Sequence, residues 1–454
     1  MRRRFTAFDV EDRVGQKVTL SSQAQAAVRH KLMWALCPCG FLITFLTYLD
    51  RSSLAFAAPQ MLADLHLDSA TYGLGAGLLF ATYSVLMMPG TMLVEWLGAP
   101  NGLSAATVAW GLVTALTSLV RGAPSFFAAR LALGAAEACC FPGIWVHLTL
   151  FFTEAEMTLT YSIVLAGTLL SLALGGPMAA GLLLLDGALG LRGWQWLFIA
   201  EGALTALCGI LLRCVLVSSP ADAWCLTEEE RAWAVQRKCT ADEAATAQDP
   251  ASMCIWRWIL QWRLWLLGFC FYLVQTTFFA VIFWTPLILE AILSGNFAAG
   301  VVKHKPSPDQ RVEAAHTSHL ALLSTVLYVP AGLALCALAF TSMRFRERNL
   351  HCFISLAFSG AAFILVPTAM AARGAASGYA LLVLAALGIT GAWGPIASWP
   401  ALLLAGRSRA PGYAFFNSFA GWGGFTGPYI LGMLSAHGPS DGVRNPCRSA
   451  SDHH

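Results

Sequence analysis

The chain alternates between long apolar runs and short polar connections along most of its length. An α-helix needs about 20 mainly apolar residues to cross the hydrocarbon layer of a bilayer. About eleven runs meet that requirement, at approximately residues 32–58, 73–97, 101–120, 125–151, 161–185, 194–216, 262–291, 317–341, 351–371, 378–405 and 411–436. The pattern therefore predicts an all-α polytopic membrane protein.

The longest polar interruption among these runs divides them into six and five. It contains LTEEERAWAVQRK, in which Thr227 precedes Glu230 at the spacing of a capping box, so a short amphipathic helix is expected there. The predicted organisation is a cytosolic tail over 1–31, a six-helix bundle over 32–216, a cytosolic linker over 217–261, a second bundle of about five helices over 262–436, and a polar tail over 437–454.

Composition and charge agree with a lipid environment. Hydrophobic residues make up 57% of the chain and charged residues 12%, against about 25% charged in soluble proteins. The net charge of +3 is too small to indicate nucleic-acid binding. Lys and Arg are concentrated in alternate connections, beginning with the arginines at positions 2 to 4, which predicts a cytosolic N-terminus and an integral, multi-pass protein. An odd number of spans would place the C-terminus on the opposite side.

Two of the apolar runs carry opposite charges near their middle: Asp50 and Arg51 in the first, Arg130 and Glu137 in the fourth. Each such charge costs about 2.5–3.5 kcal/mol at the bilayer centre, so these groups must pair, face water or change protonation. Neighbours on a helix point about 100° apart, whereas residues seven apart share a face. We therefore expect helices one and four to face each other, with the four charges cross-paired around a water-filled cavity. The cluster is either an anion site with a titratable acid or an ion-pair clamp that only joins two helices.

Other polar and aromatic positions carry weaker signals. His147 either relays protons or makes an ordinary helix contact, and Asn417 either binds substrate or hydrogen-bonds a neighbouring helix. Tyr48 and Tyr83 are expected to line the same cavity as the charges, and Glu201 is expected at the membrane interface because it follows a helix start. Four tryptophans are interpreted as packing or interface anchors: Trp284, Trp393, Trp399 and Trp422.

Motifs for other chemistry are missing from the sequence. It has no GxxxxGK[ST], HExxH or GxSxG segment, and its 13 cysteines fit no zinc or redox spacing, so they are interpreted as small apolar fillers. The sequence thus predicts no enzyme, no metal and no cofactor.

Several segments, taken in order, resemble one known family. YLDRSSLAFA from Tyr48, RLALGAAEACCFPG from Arg130, GWQWLFIAEG, SSPADAWCLTEEER, FFAVIFWTPLIL, GITGAWGPIASWPALLLAG and FFNSFAGWGGFTGPYILG are similar to signatures of the anion:cation symporter family. This family is a branch of the major facilitator superfamily, and the resemblance covers roughly residues 30–436.

The resemblance implies a fold, an activity and residue roles. Two six-helix bundles would surround a central cavity, and a monomer would move organic or inorganic anions by alternating access, driven by protons or sodium. Arg51 would hold the substrate anion, while Asp50, Arg130 and Glu137 would form a charge network. Glu137 or Asp50 would take the coupling proton, and Asn417 would contact the substrate.

The sequence departs from the family in three places. The connection VEWLGAPNG lacks the usual arginine, FTSMRFRERN lacks the usual aspartate, and no twelfth apolar run follows residue 436. These departures favour one alternative, a truncated, non-transporting sensor or scaffold derived from a transporter. An integral membrane enzyme is a further alternative, although the sequence shows no catalytic cluster at an interface.

Overall fold

The computed structural model describes residues 19–248, 262–294, 310–345, 347–397, 399 and 409–436. These residues form α-helices joined by turns and short 3-10 segments, with no strand among them. The helices are α1 (Ser22–Asp64), α2 (Ser69–Leu97), α3 (Ala99–Leu116), α4 (Ala123–Glu137), α5 (Cys140–Thr149), α6 (Glu154–Leu183), α7 (Gly193–Val215), α8 (Glu228–Gln248), α9 (Trp262–Leu293), α10 (Gln310–Phe345), α11 (Asn349–Arg373), α12 (Ala375–Ala397) and α13 (Arg409–Ala436). The described residues up to 248 are called the N-terminal half, and those from 262 the C-terminal half.

The helices confirm the predicted all-α, multi-pass fold. Among the residues that the structure describes, ten segments are long and apolar enough to cross a membrane, and they correspond to the first ten predicted runs. The eleventh run forms α13, a helix of 28 residues that is not among those ten. Predicted features at 1–18, 249–261 and 437–454 lie outside the described residues, and so does the question of a twelfth helix.

The fourth span is interrupted just after Glu137. Helix α4 ends there, two residues form a turn, and α5 begins at Cys140. Pro142 contributes to the break, because a proline ring collides with the carbonyl four residues earlier, here that of Ala138, and has no N–H to donate to it, although Pro59 and Pro286 lie inside unbroken helices. The break places Glu137 at the last position of a helix deep in the protein.

The two halves pack closely at one end of the molecule. Helix α1 runs from Ser22 to Asp64, and its two ends are called here the Lys31 end and the Asp64 end. Near the Asp64 end, the Tyr72 hydroxyl of α2 donates to the Phe283 carbonyl of α9 over 2.8 Å, and the Ser318 hydroxyl of α10 donates to the Ala180 carbonyl of α6 over 3.0 Å. These hydrogen bonds join the N-terminal half to the C-terminal half.

Glycine allows α2 to approach α13 at the same end. A Cβ atom on Gly73 would lie 2.5 Å from the Pro428 carbonyl oxygen, and one on Gly77 would lie 2.7 Å from the Phe425 carbonyl oxygen. Small residues are the usual means by which membrane helices pack backbone to backbone. Any larger side chain at Gly73 would push the halves apart.

The linker helix α8 docks on the Lys31 end of the N-terminal half. The predicted capping box is confirmed: the Thr227 amide donates to the Glu230 carboxylate over 2.9 Å, and the Glu230 amide donates to the Thr227 hydroxyl over 3.4 Å. The Lys31 ammonium donates to Glu230 over 2.8 Å, and this hydrogen bond lowers the pKa of Glu230. Farther along α8, Arg237 binds the Glu156 carboxylate over 2.7 Å.

Candidate functional site

A buried ion pair joins the first and fourth spans. The Arg51 guanidinium on α1 donates to the Glu137 carboxylate at the end of α4, with 2.6 Å between Nη2 and Oε1. The exposed fraction of the side chain is 7% for Arg51 and 0% for Glu137. Within the described part of the chain, the second Glu137 oxygen and the Arg51 Nε have no hydrogen-bond partner. The pair is therefore enclosed but only partly satisfied, and an additional ligand could bind either member.

Four aromatic rings surround the Arg51 guanidinium. Its Cζ lies 5.6 Å from the ring centroid of Tyr48, 5.1 Å from Phe80, 5.2 Å from Tyr83 and 5.6 Å from Phe279. A cation over an aromatic face at such distances is attracted by the ring quadrupole. Three rings come from the N-terminal half and one, Phe279, from the C-terminal half. Arg51 therefore lies at the boundary between the halves.

The other two predicted charges are buried but do not form the expected pair. Asp50 points toward α3, where the Thr114 hydroxyl donates to its Oδ1 over 2.9 Å, while Oδ2 has no hydrogen-bond partner. Arg130 is fully buried, and none of its three guanidinium nitrogens has a hydrogen-bond partner. The two groups still attract each other electrostatically. The expected cross-pairing thus holds for Arg51 with Glu137, whereas no ion pair between Asp50 and Arg130 is seen in the described part of the chain and Asp50 is hydrogen-bonded to Thr114 instead.

His147 lies apart from this cluster. Its ring is buried on α5, beyond the break, and its centroid lies 5.0 Å from that of Phe151. Neither ring nitrogen has a hydrogen-bond partner. The geometry connects His147 to an aromatic neighbour and provides no hydrogen-bonded route to Glu137 within the described residues.

Asn417 is also separate from the Arg51 cluster. Its side chain is exposed on α13, whereas the preceding Phe416 is buried and stacks on Phe271 with 5.1 Å between ring centroids. The following Ser418 hydroxyl contacts the Met87 sulfur of α2 over 3.4 Å. This part of α13 therefore touches both α9 and α2, but the amide is not part of the buried ring around Arg51. Its contact with substrate stays a prediction.

Glu201 does not lie where the sequence predicted it. Glu201 was expected at the membrane interface, but its side chain is buried on α7, where the Ser53 hydroxyl of α1 donates to it. Its second oxygen has no hydrogen-bond partner. The expectation was wrong because Glu201 lies two helical turns after the start of α7 and faces the centrally placed α1. The apolar sequence on both sides of Glu201 was the signal for burial.

Two neighbouring cavities lie between the halves. One has a volume of about 10 Å³, room for about one water molecule, and is lined by residues of both halves: Tyr48, Thr168, Leu172, Phe278, Gly332, Leu335, Thr390 and Trp393. The other, also of about 10 Å³, shares Leu172, Phe278 and Thr390 with the first and extends along α9, α10 and α12. Tyr48 thus lines the first cavity and also contacts Arg51.

The cavity lining bears on two expectations. Tyr83 is not among the lining residues of these two cavities, its ring packs on the Arg51 guanidinium, and its place at a substrate cavity stays a prediction. Trp393, interpreted from sequence as an anchor, lines the cavity, and its indole N–H donates to Gln275 over 2.6 Å. The four charged side chains do not border these two cavities, but Arg51 lies over the ring of Tyr48, which does.

These features define the class of the protein. Spanning helices in two halves, buried opposite charges and a cavity where the halves meet are the architecture of a polytopic membrane transporter. The sequence matches the Major Facilitator Superfamily over residues 40–428, and the chain belongs to that family.

Relatives and solved structures agree with this membership. The chain is 29% identical over 418 residues to a "Putative tartrate transporter" of Agrobacterium vitis, covering 91% of this chain and 90% of that protein. It is 30% identical over 413 residues to a "Putative metabolite transport protein NicT" of Pseudomonas putida, covering 90% and 88%. The fold is similar to an inward-facing bacterial homologue of the human lysosomal transporter Spinster, with a TM-score of 0.65, 17% identity and coverage of 89% and 81%.

Proposed function

We propose that this protein moves a small organic anion across a membrane by alternating access, with protons as the coupling ion. The observation that carries the proposal is the buried contact between Arg51 and Glu137 at the boundary of the halves, next to a cavity wall formed by Tyr48. Intramembrane ionisable groups usually mark substrate or proton pathways. The printed names of the relatives, one of which mentions tartrate, support an organic acid as the substrate.

The proposed cycle rests on competition for Arg51. An incoming carboxylate binds the guanidinium and takes the place of Glu137, which then accepts a proton. The loaded site carries no unpaired charge, so it can be enclosed without the large cost of burying one. Anion and proton therefore each strengthen binding of the other, as linkage requires.

Movement of the halves provides the alternating access in this proposal. The hydrogen bonds Tyr72 to Phe283 and Ser318 to Ala180 close the Asp64 end. With a cytosolic N-terminus, that end faces outward, so the closed end supports an inward-facing state. The two halves would act as the two rocking bundles, and breaking these contacts would open the site to the other side.

Uptake into proteoliposomes tests the proposal. Labelled tartrate, succinate and 4-hydroxybenzoate are offered with an inward proton gradient, and protein-free liposomes correct for passive entry. Wild type should accumulate at least one acid, and Arg51→Ala should not. The matched control is Arg121→Ala, because that arginine is exposed outside the site. Failure of folded wild-type protein to transport any of these acids would contradict the proposal and favour a sensor or scaffold.

The same assay separates the coupling ions. Replacing sodium by choline should leave uptake unchanged, whereas collapsing the proton gradient should abolish accumulation. A requirement for sodium would leave the transport proposal intact and overturn the assignment of the proton.

A further inference from the structure

The walls of the cavity lined by Tyr48 and Trp393 are mainly apolar and aromatic. Leu172 and Leu335 contribute aliphatic surface, and Tyr48, Phe278 and Trp393 contribute rings. The rings of Phe278 and Trp393 stack on each other, with 6.3 Å between centroids and 26° between ring planes. Walls rich in aromatic rings favour an apolar, planar ligand body, because aromatic rings attract one another in offset-stacked and edge-to-face arrangements.

Two of the four polar side chains on these walls, Thr390 and Trp393, already hydrogen-bond to protein groups. The Trp393 indole donates to Gln275 over 2.6 Å, and the Thr390 hydroxyl contacts the Ala331 and Ala386 carbonyls over 2.8 Å each. The Thr168 hydroxyl is buried without a hydrogen-bond partner. The cavity therefore offers few hydrogen bonds to a ligand that carries several hydroxyl groups.

Positive charge reaches the cavity from one side. Arg51 adjoins it through Tyr48, while Arg130 borders neither cavity. Among the side chains of the C-terminal half whose burial the structure describes, none of the buried ones belongs to Lys, Arg or His. Among these side chains, a ligand with one carboxylate on Arg51 would find no buried cation for a second carboxylate.

We infer that the substrate is a small aromatic monocarboxylate rather than a hydroxylated dicarboxylate such as tartrate. Its carboxylate binds Arg51, and its ring lies against Tyr48, Phe278 and Trp393. Each cavity has a volume of about 10 Å³, room for about one water molecule, so the walls must move apart to admit the ring. This inference rests on the proposed function and narrows it to a chemical class.

Titration calorimetry on the purified full-length protein at neutral pH tests the inference without any substitution. The probes are 4-hydroxybenzoate, acetate, succinate and tartrate. We expect 4-hydroxybenzoate to bind about tenfold or more tightly than each of the others, because acetate lacks the ring and the dianions bury an unpaired charge. Equal or tighter binding of tartrate or succinate would overturn the inference and leave anion transport standing. Binding of none of the four by folded protein would overturn both.

A charge placed on the cavity wall sharpens the test. Leu172 borders both cavities, so Leu172→Arg should improve succinate binding relative to 4-hydroxybenzoate by about tenfold, supplying the missing second cation. Leu172→Gln is the matched control, polar but uncharged, and should not change that ratio. If Leu172→Arg does not fold, Phe278→Leu tests the ring contact instead, and it should weaken 4-hydroxybenzoate several-fold while leaving succinate unchanged. An unchanged ratio in the folded variant would contradict the inference.

Discussion

The two halves of this transporter bury different kinds of polar groups. In the C-terminal half, the described buried polar residues are amides and hydroxyls such as Gln275, Thr285 and Thr390, with no Asp, Glu, Lys, Arg or His among them. In the N-terminal half the buried set includes Asp50, Arg51, Arg130, Glu137, His147 and Glu201.

This difference suggests a division of roles between the halves. Arg51 and Glu137 lie in the same half, so rotation of one half against the other need not break a buried ion pair, which would be costly. The C-terminal half contributes rings, including Phe279 over Arg51 and Phe278 on the cavity wall. We therefore expect the N-terminal half to bind the charge of the ligand, and the C-terminal half to select the ligand's shape and to close the cavity.

The largest expected effect comes from breaking the ion pair. Arg51→Met leaves Glu137 buried without its cation, which should lower the free energy of unfolding by about 3–5 kcal/mol. The double variant Arg51→Met, Glu137→Leu removes both charges and should regain most of that stability. Neither variant should transport. Thermal unfolding and uptake, measured in parallel, check both points, and a double variant no more stable than the single one would contradict a direct pairing.

The next largest effect should come from separating the halves at the Asp64 end. Gly73→Val places side-chain atoms where the Pro428 carbonyl lies, so closure of that end should be hindered and uptake should fall about tenfold. The matched control is Gly360→Val on α11, because a Cβ there meets no atom within 4 Å. Uptake by the two variants is compared at equal amounts of folded protein. Equal uptake would show that the close approach of α2 and α13 is not needed for function.

A smaller effect should follow from removing the ring that the C-terminal half places over Arg51. Phe279→Leu keeps apolar volume but removes a cation–π contact of about 0.5–1 kcal/mol, which corresponds to a change of about two- to fivefold in anion affinity. Because Phe269 is half-exposed and stacks on Tyr272, Phe269→Leu is a suitable control. Calorimetry measures the anion affinity of both variants. If Phe279→Leu binds the anion as tightly as Phe269→Leu, Phe279 is not part of the anion site.

The smallest effect concerns the linker, far from the charges in the spans. The pKa of Glu230 is lowered in the folded protein by its hydrogen bond to Lys31, so the stability gained from this contact is present above the ordinary pKa of a glutamate. That stability is lost as pH falls through the lowered value. Glu230→Gln should therefore lower stability at neutral pH by well under about 1 kcal/mol and leave uptake unchanged. Unfolding curves at neutral and acidic pH check this, and a large loss of uptake would show that docking of α8 controls transport.

The sequence allowed the spans to be predicted because the bilayer fixes their length and apolar character. It also predicted that helices one and four pair their charges, because Arg130 and Glu137, seven residues apart, share a helix face and buried charges must pair. The contact of Arg51 with Glu137 is one such pair. The sequence did not reveal that Asp50 would bind Thr114 or that Glu201 would be buried against Ser53. Those contacts depend on how each helix is rotated about its axis, which three-dimensional packing decides and periodicity does not.

The cavity was harder still to predict. Its lining comes from five helices of both halves, and Trp393 looks like an ordinary membrane-interface tryptophan in the sequence. The break after Glu137 could not be predicted from Pro142 alone, because Pro59 and Pro286 lie inside unbroken helices. Proline marks positions where a helix can break, and long-range packing determines which of them does.

The most direct test of the central claim counts protons taken up as the anion binds. Calorimetry of 4-hydroxybenzoate binding, or of whichever probe acid binds most tightly, is repeated in buffers with different ionisation enthalpies. If the anion takes Arg51 from Glu137, wild type should bind about one proton with each anion near the pH where uptake is coupled. Glu137→Gln should still bind the anion and take up no proton. The same proton uptake in wild type and Glu137→Gln would contradict the account.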